Sequence, residues 1–128
     1  MISITTKSPY AVQALAELGL AGAGPVPIGE LARRREIPTQ FLEQLFATLR
    51  RAGVLKSQRG VKGGYSFARE PGTVTVLEVV ELLDGPLGRD SEGVFAEAAE
   101  AARAVLEGVT IADVIDRERA GSGPMYYI

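Results

Sequence analysis

The stretch from Pro27 to Phe67 limits the folds open to this 128-residue chain more than any other part of it. A short helical pattern from Ile28 to about Arg35 ends at Ile37-Pro38, because the residue before a proline avoids the helical region. A second helical pattern follows, with apolar residues at helical spacing: Leu42, Leu45, Phe46 and Leu49. It should stop at Gly53, which can take the left-handed conformation common at helix ends. Two helices joined by so short a turn are typical of a helix-turn-helix.

Two strand patterns come next, from Val54 to Gln58 and from Tyr65 to Ala68, and they enclose the tip Arg59-Gly60-Val61-Lys62-Gly63-Gly64. Glycines permit positive φ angles and close backbone approach. By itself this tip is compatible with a merely flexible hairpin. Beside a basic helix, Arg59 and Lys62 suit a minor groove, where arginine senses the negative potential. The two helices and the hairpin together predict a winged helix-turn-helix that holds nucleic acid.

The second helix presents polar, base-sized side chains on its outward side: Gln40, Glu43, Gln44 and Thr48, with Ala47 among them. At the start of such a helix these side chains suit base edges in a major groove, and Arg50 and Arg51 further along suit phosphates. Thr39 is expected to cap the helix, and we assign Thr39 and Thr48 to phosphates as well. An ordinary solvated helix face explains this helix alone equally well.

The charge pattern supports the nucleic-acid interpretation. The formal net charge is only -2, but the segment from Arg33 to Arg69 holds nine basic residues against two acidic ones. From Glu70 to the C-terminus, four basic residues stand against twelve acidic ones. Positive charge is therefore concentrated on the predicted helix-turn-helix and wing, as a phosphate-binding face requires.

Helical patterns flank this central stretch. Ser8-Pro9 predicts the start of a first, core-forming helix, because serine can cap and proline suits the first helical position. Thr75 and Glu78 form a capping-box pattern that opens a helix ending near Asp84-Gly85. The polar, glycine-bearing segment from Leu87 to Gly93 is predicted to be a linker.

An alanine-rich helix is predicted from about Val94 to Glu107, and its small residues would let another helix approach closely. We interpret it as a dimerisation helix, although a core helix of a monomer remains the alternative. Thr110 should cap a last helix, and the glycine-rich stretch after residue 120 should be a flexible tail.

Several features exclude other classes of function. The chain has no cysteine and no histidine, which removes disulfides, thiolate metal sites and the usual imidazole base. The segment Gly60-Val61-Lys62-Gly63-Gly64 lacks the spacing of a phosphate loop, and Glu97, Glu100 and Glu107 fit a solvated helix face better than a metal cage. No signal peptide or spanning segment is recognisable, so we expect a cytoplasmic protein that is not an enzyme and has no metal or cofactor.

Several motifs follow one another in order: Tyr10-Ala11-Val12, Gly24-Pro25-Val26-Pro27-Ile28, Phe41-Leu42-Glu43-Gln44-Leu45-Phe46, Leu49-Arg50-Arg51-Ala52-Gly53-Val54-Leu55, Ser57-Gln58-Arg59-Gly60 and Gly63-Gly64-Tyr65. In these motifs the chain resembles the Rrf-two family of bacterial regulators, which includes IscR, NsrR and CymR, over roughly residues 1–85. The resemblance implies a homodimeric transcriptional regulator, expected to be a repressor, that binds a pseudo-palindromic promoter site in double-stranded DNA. By motif position, the family's base-reading residues fall on Gln40, Glu43 and Gln44, with Arg59 in the minor groove.

The chain departs from this family at one place. Many members hold an iron–sulphur cluster on three cysteines that follow the Asp-Gly at the end of the fourth helix, here Asp84-Gly85. This chain has no cysteine, and the corresponding stretch looks shortened, so the resemblance implies a cluster-free regulator. Cluster-free relatives occur, and some of them act with a protein partner.

The expected architecture is mainly α with a small β-hairpin wing. Residues 1–85 should form the winged helix-turn-helix, residues 86–120 the dimerisation helix and a terminal helix, and residues 121–128 a flexible tail. The base-reading set is Gln40, Glu43 and Gln44, the wing set is Arg59, Gly60, Lys62, Gly63 and Gly64, and the phosphate set is Thr39, Thr48, Arg50 and Arg51. The alternative function is a winged-helix module that binds a protein and no longer binds DNA specifically. A small-molecule effector is left open.

Overall fold

A computed structural model describes residues 4–121 of the chain. Six α-helices, one two-stranded hairpin and a short 3-10 turn at Pro71–Thr73 follow one another in this part. The elements are α1 (Lys7–Leu20), α2 (Ile28–Arg35), α3 (Thr39–Arg51), β1 (Leu55–Gln58), β2 (Gly64–Phe67), α4 (Val76–Asp84), α5 (Gly93–Glu107) and α6 (Ile111–Ala120). The fold is therefore mainly α with a small β-hairpin, as predicted. Apart from Gly121, the predicted tail lies outside the described residues.

Helix α1 is the centre of the main hydrophobic core, and α2, α3, α4 and α6 pack around it. Its inward residues are fully buried: Ala11, Ala14, Leu15 and Leu18. Opposite them, Phe46 of α3 and Leu31 of α2 are fully buried too. Because both helices of the helix-turn-helix contribute to this core, packing fixes their relative orientation.

Of the four predicted N-terminal capping residues, Thr75 and Thr110 are correct, whereas Ser8 and Thr39 are wrong. The hydroxyls of Thr75 and Thr110 accept hydrogen bonds from the backbone N–H groups of Glu78 and Asp113, at 3.0 and 3.1 Å. Ser8, however, lies inside α1 and is buried, and its hydroxyl donates to Asp84 Oδ2 at 2.6 Å. The hydroxyl that should form a local cap is thus bound to a partner 76 residues away. Thr39 is the first helical residue of α3 and caps nothing.

Helix α6 returns to the winged domain. Ile111 and Ile115 are buried in the main core, and Gly19 of α1 lies so close to Ile115 that a Cβ there would clash. A bridge between Thr75 and Thr110 joins the start of α6 to the start of α4. The last helix of the chain segment after residue 85 therefore packs into the core of the winged helix-turn-helix.

Helix α5 packs against α4 through a second, smaller cluster around Leu77, Val80 and Leu87. Glu81 of α4 accepts a hydrogen bond from Arg103 of α5 and another from the backbone N–H of Leu87, at 3.4 Å in the second case. The segment predicted to be a linker is therefore a packed turn that connects the two helices. Among residues 4–121, no helix combines the length and apolar character needed to cross a membrane.

Candidate nucleic-acid interface

Helix α3 presents an exposed polar face on the side opposite its buried residues. Leu42, Phe46 and Leu49 are fully buried, whereas Gln40, Glu43, Gln44, Arg50 and Arg51 are exposed. At the N-terminal end, the Phe41 ring packs edge-on against Tyr10 of α1, with ring centroids 5.7 Å apart. The helix is thus held along its length while its outward side chains remain available.

The turn between α2 and α3 contains only Glu36, Ile37 and Pro38. Glu36 has the left-handed backbone conformation, with φ of 54° and ψ of 46°. This conformation reverses the chain and lets the N–H of Ile37 donate to the carbonyl of Ala32 at 2.9 Å. The Ile37 side chain then enters the core, which fixes the angle between the two helices. No residue in this turn gives a sequence signal for its left-handed position, because Glu36 is not a residue type that favours it.

The wing is held against α3 at its base. Strands β1 and β2 are antiparallel and pair from Leu55–Phe67 to Gln58–Gly64. The Tyr65 ring on β2 packs edge-on against Phe46 of α3, with centroids 5.2 Å apart. On its other side, Tyr65 exchanges two backbone hydrogen bonds with Val26, at 2.8 and 2.9 Å. The wing therefore has a fixed position beside the exposed face of α3.

The predicted wing residues differ in their surroundings. Arg59, Gly60 and Lys62 are exposed, and a hydrogen bond from Gly63 N–H to the Gly60 carbonyl, at 3.0 Å, closes the tip. Gly63 is buried against the backbone of residues 58–59, and Gly64 has a φ of 145° and touches the backbone of Val26. A Cβ at either of these two glycines would clash with main chain, so glycine is needed at both positions to form the wing, whether or not they contact DNA.

Ion pairs within the protein engage four of the nine basic residues of the predicted phosphate-binding segment. Arg33 and Arg34 pair with Glu30 of α2, and Arg34 also pairs with Glu17 of α1 at 3.2 Å. Arg69 pairs with Glu78 at 2.6 Å. Within residues 4–121, no ion pair is formed by the five remaining cations of this segment: Arg50, Arg51, Lys56, Arg59 and Lys62. All five are exposed, and they belong to α3 and the wing.

Arg35 is the fourth paired arginine, and it links the helix-turn-helix to the first and last helices. Its guanidinium contacts Glu17 of α1 at 2.9 Å and Glu118 of α6 at 2.8 Å. Burial tends to lower the pKa of Arg35, but the hydrogen bonds to Glu118 and Glu17 outweigh it and raise the pKa above its ordinary value. This arginine stays charged and serves the packing of α2, so it is not available to a phosphate.

Residues 4–117 match the Rrf2 family model, whose description is an iron-dependent transcriptional regulator. The chain belongs to the Rrf2 family. A helix-turn-helix transcriptional regulator of Synechocystis sp. is 40% identical over 87 residues, which cover 67% of this chain and 59% of that protein. IscR of Citrobacter koseri is 40% identical over 82 residues, which cover 63% of this chain and 50% of IscR. The chain thus spans about half the length of the curated relatives it matches.

Solved structures of Rrf2 regulators share the whole fold. CymR, the global cysteine regulator of B. subtilis, has a TM-score of 0.81 and 31% identity, covering 91% of this chain and 98% of CymR. T. potens IscR has a TM-score of 0.82 and 36% identity, covering 98% of this chain and 97% of IscR. The predicted family and the winged helix-turn-helix fold are therefore confirmed, and the similar proteins are regulators rather than enzymes.

The family description mentions iron, but this Rrf2 chain lacks the residues that bind it in a cysteine-ligated cluster. The sequence contains neither cysteine nor histidine. In the part of the chain that the structure describes, acidic residues form no group of three that could hold a metal ion. The turn after Asp84 is also closed by packing, because Leu87 is buried and a Cβ on Gly88 would clash with Ala99. A cysteine-bound cluster therefore has no ligands here.

Proposed function

We propose that this protein is a sequence-specific DNA-binding regulator of transcription that works in the cytoplasm without an iron–sulphur cluster. The observation that carries the proposal is an exposed polar face on α3 beside a fixed wing, with five exposed cations on these two elements. Such a face suits a major groove, and such a wing suits the adjacent minor groove. Membership in a family of transcriptional regulators points the same way.

In this proposal Gln40, Glu43 and Gln44 contact base edges, because amide and carboxylate groups match the donors and acceptors of adenine and cytosine. Arg59 enters the minor groove, while Thr39, Thr48, Arg50 and Arg51 contact phosphates with Lys62. The Thr48 hydroxyl donates its one proton to the Gln44 carbonyl at 3.2 Å and accepts from Arg51 at 3.2 Å, so it must rotate away from Gln44 to donate to a phosphate.

The proposed working form is a homodimer on a pseudo-palindromic site. Helix α5 buries Ala99 beside Gly88 in the turn after α4 but leaves an apolar stripe of Val94, Ala98, Ala101 and Val105 exposed, with Phe95 beside it. Val94 and Phe95 are both 68% exposed. A second copy that packed its own α5 on this stripe would cover it and place two α3 helices on successive half-sites. We expect such a dimer to repress by occupying a promoter.

DNA binding is tested by fluorescence anisotropy on fragments selected from genomic DNA. Gln44→Ala should weaken binding to the selected site by about 1–3 kcal/mol and leave nonspecific DNA nearly unaffected. Arg59→Ala should weaken binding and relax any minor-groove preference, whereas the matched control Arg117→Ala on α6 should change neither. A wild-type protein that selects no sequence and binds every fragment equally would contradict the proposal. A stable complex with another protein under those conditions would instead support the protein-interaction module.

The dimer is tested by light scattering at micromolar protein. Val105 is 67% exposed, so Val105→Glu should leave the fold intact while placing a charge in the proposed interface. We expect the wild type to be a dimer and this variant to dissociate. Glu100→Gln, on the acidic side of the same helix, is the control and should stay dimeric. A monomeric wild type would eliminate the two-half-site arrangement but not DNA binding by a single subunit.

A further inference from the structure

Val61 is the most exposed large apolar side chain among residues 4–121, at 103% of its reference area. It contacts nothing in the fold, so core packing gives no reason for a branched apolar residue at this position. Hairpin tips ordinarily carry glycine, asparagine, aspartate or serine, which suit the turn and water. Val61 is therefore a departure that folding does not explain.

The position of Val61 is fixed by the turn that holds it. The hydrogen bond from Gly63 N–H to the Gly60 carbonyl, at 3.0 Å, makes Val61 and Lys62 the two central residues of the turn. They form the leading edge of the wing, and Gly60 alone separates them from Arg59. Because Tyr65 attaches the wing to α3 and to Val26, this edge has a set direction relative to the exposed face of α3.

We propose that Val61 is a specificity-determining contact that enters the minor groove together with Arg59 and presses its methyl groups against a base step. This inference rests on the proposed DNA binding. Proteins that bind the minor groove use apolar side chains to open base steps, and pyrimidine–purine steps deform most easily. Val61 thus favours operators with such a step under the wing. It contributes an apolar contact beside the electrostatic contact of Arg59.

Salt dependence separates an apolar contact from an electrostatic one. Val61→Ala removes methyl groups but no charge, so it should weaken binding to the selected operator about three- to tenfold at every salt concentration. Its slope of log affinity against log salt should equal that of the wild type. The neighbouring control Lys62→Ala should instead make the slope of the dimer shallower by about two, because one phosphate per subunit would no longer be neutralised. Val61→Thr has nearly the same shape and should also weaken binding, because its hydroxyl would lose water in the groove.

The inference predicts that the selected operator has a pyrimidine–purine step such as TpA under the wing, and the preference is tested with a second operator in which that step is replaced by ApA. The wild type should bind this operator more weakly, and the difference in affinity between wild type and Val61→Ala should approach zero. Equal binding by wild type and Val61→Ala on the selected operator would overturn the inference, as would a full recovery in Val61→Thr. If the wild type exceeded Val61→Ala in affinity by the same factor on both operators, the step preference would be overturned.

These results are distinguishable from failure of the proposed function itself. If the wild type selects no DNA sequence, the proposed function fails and the inference fails with it. If the wild type selects an operator that Gln44→Ala weakens but Val61→Ala does not, only the inference about Val61 fails. Because the Val61 side chain touches nothing in the fold, the unfolding midpoint of each Val61 variant should match the wild type.

Discussion

Replacing Glu36 by glycine should stabilise the protein. Glu36 has a φ of 54° in the turn of the helix-turn-helix, where a side chain costs about 1–2 kcal/mol relative to the right-handed region. It also places an acidic group at the C-terminal end of α2, where the helix dipole disfavours negative charge by about 0.3–1 kcal/mol. Against these gains, glycine adds about 0.4–1 kcal/mol of chain entropy to the unfolded state. The net gain should be roughly 1 kcal/mol.

Two further variants separate these contributions. Glu36→Gln removes the charge and keeps the side chain, so the difference between Glu36→Gly and Glu36→Gln reports the backbone contribution alone. Gly53→Ala is the converse control, because Gly53 has a φ of 82° in open space and an added methyl should destabilise by about 1–2 kcal/mol. Free energies of unfolding are measured by urea denaturation at fixed protein concentration, since association would change the apparent stability.

The result that would refute this reasoning is a Glu36→Gly variant less stable than Glu36→Gln. That outcome would mean that the turn tolerates its left-handed glutamate without strain. A Gly53→Ala variant as stable as the wild type would show that the left-handed penalty is small throughout this fold. In either case the turn geometry would have to be explained by packing of Ile37 rather than by backbone preference.

The remaining predictions concern single contacts. Gly64→Ala should destabilise the protein more than Gly60→Ala in urea denaturation, because only the first adds a Cβ against main chain, at Val26. Arg35→Ala should cost about 1–3 kcal/mol in the same measurement, since Arg35 and Glu17 are 17% and 18% exposed and the substitution leaves the Glu17 carboxylate without this partner. Asp113 has a pKa below its ordinary value of 3.8, because the backbone N–H and the side chain of Thr110 bind the carboxylate. The ionised Asp113 carboxylate therefore stabilises the folded protein above about pH 4, and this contribution is lost as pH falls through the lowered pKa. The difference in thermal midpoint between wild type and Asp113→Asn should shrink correspondingly between about pH 7 and about pH 3.

Local patterns predict the elements of the fold well. The sequence predicts α2 from Ile28 to about Arg35, and the structure has the same bounds. The left-handed end of α3 at Gly53 is confirmed, because glycine after an apolar helix pattern is a strong local signal. The capping residues of α4 and α6 are recognisable for the same reason: their partners lie three residues away.

Contacts between distant segments are not predictable in this way. The local pattern makes Ser8 a cap, but Asp84 at the far end of α4 accepts its hydroxyl hydrogen. Val26 is visible in the sequence only as a residue between two prolines, and nothing local shows that it pairs with Tyr65 and fixes the wing. The base-reading and phosphate-binding roles of α3 residues stay predictions, since exposure alone does not show what a side chain binds.

Contacts between distant segments also determine how many cations are available to DNA, and a salt titration measures this number. The sequence offers nine basic residues between Arg33 and Arg69, but ion pairs with acidic residues hold four of them. Each phosphate contact on double-stranded DNA contributes about -0.9 to the slope of log affinity against log salt. With five cations per subunit, a dimer should show a slope no steeper than about -9, whereas nine per subunit would allow about -16. A slope steeper than about -9 in an anisotropy titration would mean that DNA opens one or more of these four arginines' ion pairs. The shallower slope would show that these four arginines keep their partners within the protein while α3 and the wing alone contact phosphates.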